Sequence, residues 1–181
     1  MTTPEEAVKT LLRHIGEDPT RDGLQNTPKR VVKALTEMTQ GYNTDIEALL
    51  NVKLEVDFDE MVVLTGIAFT SLCEHHMLPF VGTATVGYIP NQGVVGISKL
   101  ARLVEAHAQR LQIQERMTQD IAQDLQKHLD PVGVGVIIKA HHQCMSCRGI
   151  RKSNTEMITS AVYGDIKHVT AARAEFLAFT N

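Results

Sequence analysis

The sequence predicts an α+β fold, in which an antiparallel sheet carries helices on one face and follows an N-terminal helical region. Apolar residues recur at helical spacing through about the first fifty residues and again between 97 and 129. Runs rich in β-branched residues lie in 61–89 and 132–163. Two strands, a helix pair and two more strands are typical of an antiparallel sheet packed against helices. The predicted domains are 1–55, the helical region, and 56–181, the sheet domain.

The sequence predicts two helices in the N-terminal region. The first covers residues 4–15 and ends at Gly16. The second begins at Thr27, which we expect to act as the N-cap, because Pro28 suits the first helical position. Its apolar stripe stops at Gly41.

The sequence predicts four strands and three helices in the sheet domain. The expected strands cover 61–71, 81–89, 132–138 and 155–163, and the expected helices cover about 98–110, about 112–129 and 170–179. We expect Ile97 to lie on the apolar face of the first of these helices. If the alternation of the third strand continues, His142 and Cys144 point to one side of the sheet and His141 to the other.

Composition excludes several classes of protein. A chain of 181 residues with a net charge of −3 and no Trp is not typical of a nucleic-acid binder. No apolar run approaches about eighteen residues, which argues against a membrane span. Three cysteines are too few for a disulfide scaffold, so we expect a reduced, cytoplasmic protein.

All three cysteines lie beside histidines. CEHH occurs at 73–76 and HQCMSCRG at 142–149, and thiolate sulfur with imidazole nitrogen is the ligand set that selects zinc. The favoured ligands are Cys73, His76 and Cys144, which leave one tetrahedral position open, as a hydrolytic site requires. The alternatives are a closed structural site in which Cys147 is the fourth ligand, and buried thiols that bind no metal.

Candidate groups for anion binding and proton transfer surround these motifs. A predicted helix start carries Ser98, Lys99 and Arg102, where free backbone N–H groups favour an anion, and Arg148 follows the last cysteines. The alternative for these cations is a solvated face. Proton carriers are expected at His75 and His142, because imidazole titrates near neutral pH. Two carboxylates near the motifs can also be explained without a function in a site. Glu115 could simply stabilise a helix start, and Glu74 could form a loop salt bridge.

Six collinear motifs resemble the GTP cyclohydrolase I family over most of the chain. They are GEDP at 16–19, TPKR at 27–30, CEHH at 73–76, GISKLAR at 96–102, QER at 114–116 and HQCMSCRG at 142–149. The resemblance implies the tunnelling fold, in which sheets of several subunits close a barrel, and a homodecamer of two pentamers with active sites between subunits. The implied reaction converts GTP and water to formate and 7,8-dihydroneopterin triphosphate, the entry to folate and other pterins.

The resemblance also implies residue roles. Zinc would be held by Cys73, His76 and Cys144, while His142 would protonate the leaving imidazole nitrogen and His75 would assist. Gln114 and Glu115 would hold the guanine edge. The implied triphosphate ligands are Arg30, Ser98, Lys99, Arg102 and Arg148. Leu111 stands where the family usually has Pro, and Cys147 where it requires no ligand.

Three other functions compete with this one. A zinc base deaminase would need an H-x-E and P-C-x-x-C signature, but the two histidines follow Glu74 and no Pro precedes Cys144. A related hydrolase could open the purine ring without forming the pterin. A structural-zinc module could bind a nucleotide or a protein without any catalysis.

Overall fold

The computed structural model describes residues 2–51 and 53–180. Its helices are α1 (Pro4–His14), α2 (Thr27–Glu37), α3 (Ile46–Leu50), α4 (Ile97–Ala108), α5 (Gln114–Leu129), α6 (Gln143–Ser146), α7 (Gly164–His168) and α8 (Thr170–Ala178), with a 3₁₀ turn at Gln40–Asn43. Its strands are β1 (Lys53–Leu54), β2 (Val62–Cys73), β3 (Pro79–Ile89), β4 (Val94–Val95), β5 (Leu111–Gln112), β6 (Gly133–His142) and β7 (Met157–Tyr163).

The main sheet has five strands in the order β5-β2-β3-β6-β7. The pairs β2–β3, β3–β6 and β6–β7 are antiparallel, and only the two-residue β5 runs parallel to its neighbour β2. The α+β class with an antiparallel sheet is therefore confirmed, and the four long predicted strands are all present. Their ends lie within about two residues of the expected ones, except that β6 continues to His142 instead of ending at 138.

The two long helices cover one face of this sheet. Side chains at even positions of β6, such as Val136 and Ile138, are fully buried in one cluster with Leu103 of α4 and Ile121 of α5. This matches the alternation expected for a strand with one face against helices. The hydrophobic core therefore lies between the sheet and the α4–α5 layer.

The short C-terminal helices cover part of the opposite face. Phe176 of α8 is fully buried with Ile137 and Ile166. A Cβ at Gly135 would lie 2.6 Å from the Phe176 ring, and one at Gly87 would lie 2.9 Å from it. Glycine is required at both positions because the aromatic ring lies directly on the backbone of β3 and β6.

The chain forms two compact units, the first ending at Gln40 and the second beginning at Gly41. The predicted division into 1–55 and 56–181 stays a prediction. In the first unit α1 and α2 occur as expected, but the N-cap of α2 was wrongly predicted at Thr27. Asn26 occupies the cap position without a side-chain hydrogen bond, and Thr27 is already helical.

A prediction at the start of α4 was also wrong. Ile97 is 67% exposed, because the buried face of α4 is formed by Leu100, Leu103 and Val104 instead. The helix expected from about 112 is present and begins two residues later, at Gln114, since Gln112 pairs with Cys73 in the sheet. The short elements were not predicted from the sequence: α3, α6, α7, β1, β4 and β5.

Candidate metal and catalytic site

The turn between β2 and β3 brings the two halves of the CEHH motif together. Cys73 ends β2, and its carbonyl accepts from the backbone N–H of His76 (3.3 Å) and of Met77 (2.8 Å). Met77 has a φ of 54°, in the left-handed region that non-glycine residues seldom adopt. This tight turn folds His76 back toward the Cys73 side chain.

Two contacts attach the turn to the start of α5. The backbone N–H of Glu74 donates to the carbonyl of Gln112 (3.0 Å), and the Glu74 carboxylate forms an ion pair with Arg116. His75 lies beside the same carboxylate, with Nε2 3.9 Å from Glu74 Oε1. Glu74 therefore has the salt-bridge function expected as one alternative, and it also lies next to a candidate proton carrier.

The third predicted ligand reaches this turn because of strand pairing. Phe80 near the start of β3 is the cross-strand partner of His142 at the end of β6. Cys144 follows in α6, so the prediction that strand alternation continues to Cys144 was wrong. The expected alternation holds from Ala140 to His142, since Ala140 is buried and His141 is exposed.

Cys73, His76 and Cys144 form a group that could hold a metal ion. One donor atom from each lies within 4.8 Å of the other two. Donors around a tetrahedral zinc ion lie about 3.5 Å apart, given bonds of about 2.0–2.3 Å, so the three residues fit the ion after a small contraction. Within the described residues, the group does not include Cys147, which is exposed.

Burial acts on one thiol of this group, that of Cys144. It raises the pKa of the Cys144 thiol, and the neighbouring Cys73 raises it further. A cation bound beside Cys144 would oppose this effect, because metal binding requires and stabilises the thiolate form.

His142 is held on two sides. Its ring stacks on Phe80, and its Nε2 lies 2.8 Å from Oε1 of Gln114. Burial lowers the pKa of His142, while the carboxylate of Glu115 opposes that shift. The ring therefore has a fixed plane and direction beside the thiol group.

A cavity of about 470 Å³ joins these residues, a size typical of small-molecule sites. Six predicted site residues line it: Cys73, His75, Gln114, Glu115, His142 and Cys144. Other lining residues, including Met145, Thr155 and Met157, were not predicted, because apolar and small polar side chains carry no motif of their own.

The predicted anion ligands do not all lie beside the cavity and the candidate metal group. Nη1 of Arg148 lies 2.9 Å from Nε2 of His76, so this guanidinium is beside the candidate metal group. Ser98, Lys99 and Arg102 lie on α4, and Arg30 lies on α2 in the first compact unit. None of these four residues is among the described residues that line the cavity.

Over the part of the chain that the structure describes, no helix has both the length and the apolar character needed to cross a membrane.

The chain is similar in sequence to proteins from several bacteria. A relative from Gloeobacter violaceus is 53% identical over 173 residues, covering 95% of this chain and 81% of the relative. A relative from Leptospira biflexa is 50% identical, covering 96% of this chain and 95% of the relative. A relative from Rickettsia felis is also 50% identical, covering 97% of this chain and 94% of the relative. All three are named GTP cyclohydrolase 1.

A solved structure of the archaeosine synthase QueF-Like in the apo form aligns with a TM-score of 0.48 and 21% identity, covering 57% of this chain and 93% of that one. The family model described as GTP cyclohydrolase I matches residues 4–181. With nearly the whole length matched by that model and by relatives that are half identical, the chain belongs to the GTP cyclohydrolase I family.

Proposed function

We propose that this chain hydrolyses the imidazole ring of GTP and rearranges the product to 7,8-dihydroneopterin triphosphate with release of formate, the first step of pterin and folate biosynthesis. The observation that supports this most directly is the Cys73, His76 and Cys144 group, whose donor atoms lie within 4.8 Å of one another. Cys73 and Cys144 line the same cavity as His142 and Glu115.

In this proposal the three residues hold zinc. Zinc bound there would supply Lewis acidity, which lowers the pKa of water toward neutrality and so makes hydrolysis possible at physiological pH. Three protein ligands are typical of catalytic zinc, whereas structural sites usually have four. Cys147 lies outside the group of donor atoms, which favours the open site over the closed one.

The two histidines would carry protons. His142, fixed by Phe80 and Gln114, would donate to the purine imidazole nitrogen as the ring opens. His75, with Nδ1 4.0 Å from Sγ of Cys73, would assist proton transfer near the same carbon. An aligned general acid of this kind contributes about 10²- to 10⁴-fold to the rate.

The remaining residues would bind the substrate. Glu115 is exposed in the cavity, where its carboxylate can accept from the N–H donors of the guanine edge, with Gln114 beside it. Arg148 would neutralise part of the triphosphate. Ser98, Lys99, Arg102 and Arg30 would complete the triphosphate site in a homodecamer of two pentamers, where each active site forms between subunits. We place this reaction in the cytoplasm, in keeping with three free cysteines.

The test is to incubate zinc-loaded protein with GTP and to follow formate and 7,8-dihydroneopterin triphosphate by mass analysis. Both products should form, and neither should form in a Cys144→Ser control. Formate without the pterin would show a ring hydrolase that does not complete the rearrangement. Neither product from folded, zinc-bound protein would leave a nucleotide-binding module as the better description.

A further inference from the structure

Gln114 is a polar side chain with almost no exposure, 1% of its surface, at the point where α5 meets the sheet. Its amide nitrogen lies 3.1 Å from the carbonyl oxygen of Ile138 and 3.0 Å from that of Met157. Carbonyl oxygens can only accept, so the nitrogen must be the atom that faces them. The amide oxygen therefore faces His142.

Two threonines determine the same orientation independently. Thr118 Oγ1 donates to the backbone carbonyl of Gln114 (2.7 Å), which uses its single hydrogen. In the 2.6 Å contact between Thr118 and Thr159, Thr159 must then be the donor. Its oxygen remains as an acceptor for the Gln114 amide nitrogen, 3.1 Å away, whose two hydrogens are shared among Thr159 and the two carbonyls.

These contacts close a ring of hydrogen bonds with one direction. It runs from the Gln114 amide nitrogen to the Thr159 hydroxyl, on to the Thr118 hydroxyl, and back to the Gln114 backbone carbonyl. Turning the amide over would place its oxygen against two carbonyl oxygens and a hydroxyl whose hydrogen is already used. The buried surroundings make such an arrangement strongly unfavourable.

We propose that Gln114, Thr118 and Thr159 act as a positioning unit that holds neutral His142 in the Nε2–H tautomer, leaving Nδ1 as the atom that exchanges a proton with substrate. This rests on the proposed function of His142. The Gln114 oxygen can only accept, so Nε2 must carry the hydrogen of the 2.8 Å contact. Turning the imidazole over in its own plane would put a ring carbon in place of Nε2 and lose the hydrogen bond to Gln114.

In this proposal both the nitrogen that donates the proton and the nitrogen that receives it are specified. Protonated His142 carries hydrogens on Nε2 and Nδ1. The Nδ1 proton passes to the purine nitrogen as its bond to carbon breaks, and the electron pair of the N–H bond stays on Nδ1. The ring returns to the neutral Nε2–H form and is reprotonated by the proton that the water consumed in the hydrolysis releases, while the hydrogen bond to Gln114 is unchanged throughout.

The experiment uses zinc-loaded full-length protein labelled with ¹⁵N-histidine, whose ring nitrogens report the tautomer directly by NMR. The His142 signals are identified by their disappearance in His142→Ala. We expect Nε2 protonated and Nδ1 unprotonated in neutral wild-type protein. In Gln114→Met the His142 tautomers should mix, and kcat should fall by about 10- to 100-fold, the range for residues that orient a catalytic or metal-bound group.

Two readouts separate positioning from other functions of Gln114. A pure guanine ligand would mainly raise KM, whereas a positioning residue lowers kcat and leaves KM within about threefold and zinc content unchanged. The matched control is Gln126→Met, further along α5, whose amide contacts the carbonyl of Pro131. It should leave the tautomer and kcat as in wild type. Thr159→Val should lower kcat less than Gln114→Met, because two backbone carbonyls still hold the amide.

A wild-type spectrum with the His142 hydrogen on Nδ1 would overturn the proposal, even if Gln114→Met does not fold. So would a folded Gln114→Met protein with normal kcat and a single Nε2–H tautomer. Full turnover in His142→Ala would instead overturn the catalytic function of His142 and leave the tautomer assignment standing, so the two failures are distinguishable.

Discussion

The rings of Phe80 and His142 lie parallel, with centroids 4.7 Å apart and planes inclined by 5°. The two residues are cross-strand partners in β3 and β6, so the register of the sheet itself produces the stack. Since β3 begins just after the CEHH turn and α6 follows His142, the same register also brings Cys144 to Cys73. One strand pairing thus assembles both the candidate metal group and the candidate acid.

Substitution of the three cysteines should have different effects on zinc affinity. Cys73→Ser and Cys144→Ser should lower zinc affinity by more than about 100-fold, since loss of a residue that only orients a ligand already costs about 10- to 100-fold. Cys147→Ser is the matched control, and it should keep both zinc and turnover, because Cys147 is exposed and outside the ligand group. Metal analysis after dialysis measures this. Zinc lost from Cys147→Ser together with its folding would indicate the closed four-ligand site.

Substitution of His142 should separate metal binding from chemistry. His142→Ala should keep zinc, because His142 is not a member of the ligand group, and should lower kcat by about 10²- to 10⁴-fold. Zinc content and GTP turnover are measured on the same sample. Normal turnover in the zinc-loaded variant would remove His142 from the mechanism.

Arg148 should act on substrate binding. Arg148→Ala removes a cation whose guanidinium lies beside His76, and we expect KM for GTP to rise about tenfold with a smaller change in kcat. Arg173→Ala, on the exposed side of α8, is the control and should match wild type. Steady-state kinetics at two salt concentrations would test the electrostatic origin, because screening should reduce the difference between Arg148→Ala and wild type. Equal KM values for the two proteins at low salt would contradict this function.

A partly buried pair between α4 and α5 should make stability depend on pH. His107 Nε2 lies 2.8 Å from Oδ2 of Asp124, and His107 is 3% exposed. Burial by itself raises the pKa of Asp124, but the hydrogen bond and charge of His107, with lesser effects of His128 and Lys127, lower it overall from its ordinary 3.8. A carboxylate with a lowered pKa stabilises the fold above its unfolded pKa, and that stabilisation is lost as pH falls through the folded pKa.

We therefore expect Asp124→Asn to lower the free energy of unfolding by about 1–2 kcal/mol at pH 7. The difference from wild type should shrink as pH falls below about 4. Urea unfolding of both proteins between pH 7 and pH 3.5 measures this. A constant difference across that range would show that the contribution of Asp124 is independent of its charge.

Regular elements could be predicted from the sequence because each repeats a local pattern. The alternating valines of β6 and the apolar stripe of α5 are examples, since both patterns repeat at the period of the element. The short elements could not be predicted in this way. β5 has two residues and exists because Gln112 pairs with Cys73, a contact between residues far apart in the chain.

Residue type and spacing alone indicated the metal group, since Cys and His ligands are chemically specific for zinc. Residue type gave a less complete account of Gln114. Its place in a QER motif predicts a contact with the guanine edge, whereas its buried hydrogen bonds connect it to Thr159, Ile138 and His142. Thr118 and Thr159 carry no sequence signal, because a threonine in a helix or strand is ordinary until a partner is known.

The sequence by itself determined the α+β class, the order of the long elements, the family and the chemistry of the three candidate ligands. These depend on local periodicity and on residue type. The tertiary structure decided which nitrogen of His142 contacts Gln114, which residues hold its ring, and which candidate cations lie beside the ligands. Those properties depend on strand register and on the direction of buried hydrogen bonds, which arise only when distant segments pack together.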